Sequence, residues 1–208
     1  MQYQLTNKSI KNSLDAIAAR DRNVGRVLKV VGYPEARRRP EGFETLLRII
    51  VGQQVSVAAA NAIYGRVIGA LGPEVSVSRL LRLRESTLRK AGLSAAKCKY
   101  ARALARAIRE GELDTAGLRE LTDDEALVQI QAVPGLGRWS AEIYLMFSLG
   151  RPDLWPSGDV GAMRGLQKIL NLELRPTPVE ADALACKYSP YRTAMALLAW
   201  KCANATAL

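Results

Sequence analysis

The sequence predicts an all-α protein, and three observations carry that prediction. Apolar residues recur at the three-and-four spacing of half-buried helices. N-cap signatures stand ahead of the apolar runs. Strand signals are missing: there is no Asn-Gly hairpin turn and no alternating run, and aromatics make up only 6% of the chain. Roughly eight to ten helices with short joints are expected, a helical array with no repeat at 30–40-residue spacing.

The elements follow in order. Residues 41–70 open with Phe43, Leu46, Leu47, Ile50 and Val51 and continue into an alanine-rich run, the pattern of a half-buried helix. Gln53-Gln54 interrupts that apolar face, as a local polar break or a helix end. Ser94 follows Gly92 and precedes AAKCKYARALARAI, which reads as a break, an N-cap and a new helix. Thr122 and Glu125 form a capping box ahead of ALVQIQAV, and Thr177-Pro178-Val179-Glu180 repeats it with proline at the first helical position. Ser189-Pro190 reads the same way ahead of YRTAMALLAWKC. Two inter-helix stretches break the plain pattern: Val133-Pro134-Gly135-Leu136-Gly137 and Trp155-Pro156-Ser157-Gly158-Asp159.

Composition excludes several chemistries. The 208 residues contain no histidine, which removes Ser-His-Asp and Cys-His nucleophile systems and His-ligated metal sites. A general base must be a carboxylate, or else Lys, Tyr or Cys. Cys98, Cys186 and Cys202 are too few for a four-cysteine cluster, and their odd number argues against a disulfide framework, so buried reduced thiols are expected. The N-terminus lacks the apolar stretch of a secretion signal, and no 18-residue apolar run occurs. A soluble cytoplasmic chain with no membrane partner is the expectation.

The formal net charge is +10, and it is unevenly spread. Residues 79–109 hold ten basic residues (Arg79, Arg82, Arg84, Arg89, Lys90, Lys97, Lys99, Arg102, Arg106 and Arg109) against one acid, Glu85. Such a stretch is either a patch for a phosphate-rich partner, meaning nucleic acid, or a pair of solvated helix faces.

VPGLG lies between two helices, directly before a helix start at about Arg138. Glycine permits positive φ and close approach of backbone to another molecule. The N–H groups of Gly135, Gly137 and Ser140 would form an anion cradle at a helix N-terminus. In a basic protein this is the pattern of a helix-hairpin-helix gripping a DNA backbone without reading its sequence, although a structural corner would use the same glycines.

Here the sequence resembles a known family. AVPGLGRWSAEIYLMFSLGRPDLWPSGD resembles the hairpin and the Gly/Pro-rich loop ending in aspartate of the helix-hairpin-helix DNA glycosylase superfamily, in its bacterial 3-methyladenine DNA glycosylase II branch. FETLLRIIVGQQVSVAAA, GLSAAKCKYARALA and SPYRTAMALLAW resemble further segments in the same order, so the similarity runs from about Leu14 to Cys202. The resemblance implies one helix-hairpin-helix glycosylase domain over residues 1–208, with interleaved helical subdomains, the active-site cleft between them and the hairpin at about 126–149. The chain is too short to carry the N-terminal α/β domain of the long relatives ahead of this core. The endonuclease III branch has a catalytic lysine right after the hairpin arginine. Here Trp139 stands after Arg138, and the cluster cysteines of that branch are absent, which implies a monofunctional enzyme.

The resemblance also implies roles. Asp159 becomes the carboxylate that stabilises the oxocarbenium-like sugar and orients or deprotonates water; locally it reads equally well as an N-cap. Trp139 and Tyr191 become aromatic walls for a flipped, positively charged base, with core packing as their ordinary alternative, and Ile143 stands where a relative has another aromatic. Gln53 lies at the gap left by the flipped nucleotide and Gln54 probes it, while Gly135, Gly137, Arg138 and Ser140 hold the backbone. Carbonyls of Gln131, Val133 and Leu136 would hold a structural Na+ or K+, and no cofactor is required. The expected function is excision of 3-methyladenine, 7-methylguanine and related purines from double-stranded DNA in base excision repair, by a monomeric enzyme acting on the bacterial nucleoid. A non-catalytic helix-hairpin-helix DNA binder is the alternative. It would have no use for a carboxylate beside the DNA sugar.

Overall fold

The computed structural model describes residues 4–206, and among these the regular structure is entirely helical. In chain order the helices are α1 Asn7–Arg20, α2 Arg22–Val31, α3 Phe43–Gly52, α4 Val57–Leu71, α5 Val77–Arg82, α6 Glu85–Lys90, α7 Ala95–Arg109, α8 Asp123–Gln131, α9 Arg138–Tyr144, α10 Val160–Leu170, α11 Pro178–Cys186 and α12 Arg192–Asn204. A 3-10 turn covers Gly117–Arg119, and α9 runs on into a π-helical turn at Leu145–Leu149. The helices group into two compact units, Arg39–Tyr144 and the two terminal stretches taken together, up to Arg38 and from Leu145 on.

The caps expected from sequence are made. Ser94 accepts from Lys97 N–H, and capping boxes close at Thr122/Glu125 and Thr177/Glu180, the latter with Pro178 in the first turn. Such a cap contributes about 1 kcal/mol. Three expectations about the helices need correction. The described residues hold twelve α-helices rather than eight to ten, because several are as short as six or seven residues. The 41–70 segment is two helices, α3 and α4, because the chain turns at Gln53–Ser56 and Ser56 opens α4 as a new N-cap. Ser189-Pro190 does not cap α12, whose N-cap position is Tyr191. The Asp153 carboxylate takes over that task from elsewhere in the chain: Oδ1 accepts the Arg192 N–H at 3.1 Å and its Nε at 2.8 Å, and Oδ2 accepts the Ser189 hydroxyl at 2.8 Å.

In the unit Arg39–Tyr144, α3 packs on α4, α7 and α9, while α5 and α6 lie on α7 and α8 pairs with α9. Leu46, Leu47, Ile50, Leu80, Leu88, Leu104 and Ile130 are fully buried there, each contributing about 1.5–3 kcal/mol of apolar transfer. The phenol oxygen of buried Tyr144 accepts the Gly42 N–H at 2.7 Å and so fixes the start of α3. Burial pushes that phenol up to about 12.

In the other unit, α10 and α12 make the tightest pairing, with α1, α2 and α11 packed around them. Gly165 lies directly on the backbone of Ala199: a Cβ placed there would sit 1.8 Å from the Ala199 carbonyl oxygen. No larger residue fits without separating the two helices. All three cysteines are free thiols. Cys98 and Cys202 are buried as expected, and burial pushes Cys202 up to about 11. Cys186, at the end of α11, is exposed, contrary to the expectation of three buried thiols. Among the described residues no helix is long and apolar enough to cross a membrane.

Candidate functional site

The α8–α9 hairpin forms as the glycines predict, but the two glycines differ in what they do. Gly135 has φ +91°, and a Cβ on it would meet Tyr100 Cγ at 2.2 Å and Tyr100 Cβ at 2.5 Å. Its glycine is therefore required by the fold. Gly137 has no such φ and open space around it, so nothing inside the protein demands glycine there. Among the described residues, the N–H groups of Gly135, Gly137 and Ser140 donate to no backbone carbonyl, whereas the Leu136 N–H turns inward to Val133 O at 3.0 Å. Orphan amides at a helix start are the requirement for anion contact.

Arg138 opens α9 with an exposed side chain, its Nε donating to Glu142 Oε1 at 2.9 Å. Glu142 is only 2% exposed, so the arginine is held by a buried carboxylate one turn on. Trp139 is half-buried and Ile143 buried.

Gln53 and Gln54 occupy the turn after α3, and the structure assigns them different tasks. The Gln53 amide nitrogen donates to Gly135 O at 2.7 Å and to Ser140 Oγ at 3.2 Å, which ties the turn to the hairpin. Both amide hydrogens are thus engaged inside the protein. Gln54 is exposed and has φ +55°, a left-handed conformation uncommon outside glycine and asparagine. Lys97, from α7, holds this turn from below: its Nζ donates to Val51 O at 2.8 Å and Gln53 O at 2.7 Å. Burial pushes the Lys97 ammonium down. The lysine belonged to the Leu-Ser-x-x-Lys segment of the sequence, but its partners lie more than forty residues away and had no local signal.

Elsewhere in the 79–109 stretch, basic side chains do similar structural work. Arg82 donates to Ser78 O, Arg89 to Leu93 O, and Arg102 to the carbonyls of Leu81 and Leu83. The stretch is therefore not one uniform phosphate-binding patch. Arg84, Lys90, Lys99, Arg106 and Arg109 are exposed members with no such bond to a backbone carbonyl among the described residues, Arg109 pairing instead with the Glu110 carboxylate at 2.8 Å.

In the other unit, Asp159 is the N-cap of α10, its Oδ1 accepting the Ala162 N–H at 2.8 Å. The same oxygen accepts the indole Nε1–H of Trp200 at 2.8 Å. Trp200 was missed by sequence reasoning, since an indole 41 residues from its acceptor leaves no mark in a local pattern. Tyr191 is half-buried at the start of α12. It lines a mainly apolar cavity of about 290 Å³ with Leu5, Ile10, Pro152, Pro190 and Ala194.

Among the described residues, no group of three His, Cys, Asp or Glu could hold a metal ion. The hairpin carbonyls are a different donor set. Val133 O accepts one N–H, while Gln131 O and Leu136 O accept none from the backbone of the described residues. Neutral carbonyls with remaining acceptor capacity suit a weakly bound hard cation.

Comparison with known proteins accounts for this combination. The family described as the HhH-GPD superfamily of base excision DNA repair proteins matches residues 47–190. DNA-3-methyladenine glycosylase 1 of Schizosaccharomyces pombe is 30% identical over 187 residues, which cover 87% of this chain and 82% of that protein. The structure of the Schizosaccharomyces pombe 3-methyladenine DNA glycosylase in complex with abasic DNA superposes with a TM-score of 0.84 at 27% identity, covering 91% of this chain and 95% of that one. A DNA-3-methyladenine glycosidase from Bacillus halodurans gives a TM-score of 0.81 at 30% identity over 98% of this chain and 93% of its own. With hairpin, turn and capping aspartate all inside the matched region, the chain belongs to the HhH-GPD superfamily of base excision DNA repair proteins.

Proposed function

We propose that this chain is a monofunctional DNA glycosylase that removes alkylated purines from double-stranded DNA, hydrolysing the N-glycosidic bond in base excision repair, and that it acts as a monomer. The observation that carries the reading is Asp159, a carboxylate anchored by Ala162 N–H and the Trp200 indole at the end of the Pro-Ser-Gly turn. The relatives named as 3-methyladenine glycosylases support the substrate class.

The chemistry is dissociative. The bond from C1′ to the base nitrogen breaks and the base leaves with the bonding electrons. A cationic base such as 3-methyladenine or 7-methylguanine departs neutral and needs no general acid. Asp159 faces the positive charge that develops on the sugar and accepts a proton from the water that adds to C1′; a contact of this kind is worth about 3–4 kcal/mol. Trp139 and Tyr191 stack on the flipped base, and an electron-rich ring favours a cationic base by roughly 0.5–2 kcal/mol. The amides of Gly135, Gly137 and Ser140, with Arg138, hold the phosphate backbone, and Gln54 reaches into the vacated stack while Gln53 supports it. Residue 139 is tryptophan rather than lysine, so the sugar meets no amine nucleophile at that position and the product is an abasic site. The carbonyls of Gln131, Val133 and Leu136 would hold a structural Na+ or K+, which would supply no reaction chemistry.

The test is base release from methylated duplex DNA by wild type and Asp159→Asn. Asparagine keeps a cap acceptor for Ala162, so DNA binding should hold while release falls at least about 100-fold. Abasic sites without nicks should accumulate with wild type. No release by wild type with binding intact would favour a non-catalytic binder, and equal release by both proteins would remove Asp159 from the reaction.

A further inference from the structure

We infer that Trp200 is a positioning residue for the excision reaction, holding the Asp159 carboxylate in its working orientation through the indole N–H. The inference rests on the reading of Asp159 as the catalytic carboxylate. An N-cap needs only the bond from its own helix, and Asp159 has that from Ala162 at 2.8 Å. The second donor comes from α12 and lands on the same oxygen, Oδ1, also at 2.8 Å. At Asp21, which holds the N-cap position of α2, the donors divide instead: Oδ1 takes the Asn23 N–H and Oδ2 takes the Tyr188 hydroxyl at 2.9 Å. Two donors from two helices on one oxygen fix both side-chain torsions of Asp159.

The helix pairing explains why the indole reaches that oxygen. Gly161 and Gly165 lie one turn apart on α10 and face Trp200 and Ala199 of α12. A Cβ on Gly165 would overlap the Ala199 carbonyl, and one on Gly161 would lie 3.1 Å from Trp200 Cδ1 and 3.2 Å from Asp159 Oδ1. On its other side the indole meets the Phe147 ring, with centroids 5.8 Å apart and planes tilted by 33°. The indole is clamped between α10 and Phe147 with its one polar atom on the carboxylate. An indole N–H in such surroundings takes a partner whenever one is in reach, and a bond to a charged acceptor is among the stronger kind.

The experiment is a double-mutant cycle on single-turnover excision from methylated duplex DNA, with DNA affinity and melting temperature measured beside it. Trp200→Phe keeps a ring and removes the donor. The excision rate should fall about 10-fold to 100-fold with DNA affinity within about 2-fold. In the Asp159→Asn background the same change should cost nothing further, because a residue acting through Asp159 has no effect once the carboxylate is gone. A wild-type rate for Trp200→Phe overturns the inference. So does an equal fold-loss in both backgrounds, which would make Trp200 a packing residue. Full activity of Asp159→Asn alone would instead sink the reading of Asp159, and the inference with it. Gly161→Ala is the second variant. Alanine suits the helix at least as well as glycine while its methyl presses on the indole and on Oδ1, so the rate should drop without loss of melting temperature. An unchanged rate there, with Trp200→Phe unfolded, also overturns the inference.

Discussion

The two hairpin glycines separate what the fold needs from what DNA needs. At Gly135 the backbone has φ +91°, where an L-residue is strained, and an added Cβ would lie 2.2 Å from the root of the Tyr100 ring. The left-handed region costs roughly 1–2 kcal/mol for a residue with Cβ. The overlap is with Cγ and Cβ rather than a movable tip, so helix α7 or the hairpin must shift, at about 1–3 kcal/mol. Gly135→Ala should therefore lose about 2–5 kcal/mol, or about 4–20 °C in melting temperature for a chain of this size. Gly137→Ala meets open space at ordinary φ and should leave stability within about 0.5 kcal/mol. If the Gly137 amide lies against a DNA phosphate, that same methyl intrudes on the contact. Affinity should then fall by about 1–3 kcal/mol, equally for every sequence. Thermal unfolding and fluorescence anisotropy on two unrelated duplexes measure both effects. Wild-type affinity for Gly137→Ala, or a loss confined to one duplex, would refute backbone docking at this hairpin. Unchanged stability of Gly135→Ala would refute the packing argument.

Three further outcomes follow from side-chain pairing. Burial raises the Asp153 carboxyl, but the bonds from Arg192 and Ser189 outweigh it and hold it below the usual carboxylate range. Its stabilisation is therefore complete above about pH 4 and is lost as pH falls through the depressed folded value. Asp153→Ala should cost about 2 kcal/mol at pH 7 and progressively less towards pH 3; a melting-temperature gap that does not change with pH would contradict the pairing. Changing Arg84, Lys90, Lys99 and Arg106 together to Gln should flatten the salt dependence of DNA binding, by up to about 0.9 in log–log slope per lost phosphate contact. An unchanged slope would place these side chains off the DNA. Cys186 should react rapidly with a thiol reagent in the native protein, with Cys98 and Cys202 reacting only on unfolding; three fast thiols would contradict the burial of the last two.

What the sequence disclosed is what depends on near neighbours. The capping boxes at Thr122 and Thr177, the Ser94 cap, the hairpin turn and the Asp159 cap each join residues at most four apart, and each formed as read. The errors came where a distant group entered. Ser189-Pro190 has the form of a helix start, yet Asp153, 39 residues before Arg192, supplies the acceptor and moves the cap to Tyr191. The 41–70 pattern breaks at Gln53-Gln54, but a polar break inside one helix and a helix end look alike locally, and the partners that hold the turn, Lys97 and the hairpin, lie far along the chain. The basic stretch 79–109 looked like one patch because a one-dimensional count of charge cannot distinguish Arg102, bound to the carbonyls of Leu81 and Leu83, from exposed Arg106.

The same division runs through the site. Asp159, Gly137 and Gln54 sit on short turns, Gly137 and Gln54 exposed and Asp159 half-buried. Turns on their own are soft, and excision needs the reacting atoms held to a fraction of an ångström. The stiffness comes from long-range partners: Trp200 on Asp159, Tyr100 beneath Gly135, Lys97 and the hairpin on either side of Gln53. Of these partners, Trp200, Tyr100 and Lys97 need not touch DNA to matter. Substitutions at Trp200, Tyr100 or Lys97 should therefore impair excision more than their own exposure suggests, and conservative changes that keep a ring but lose a donor should separate support of the site from support of the fold.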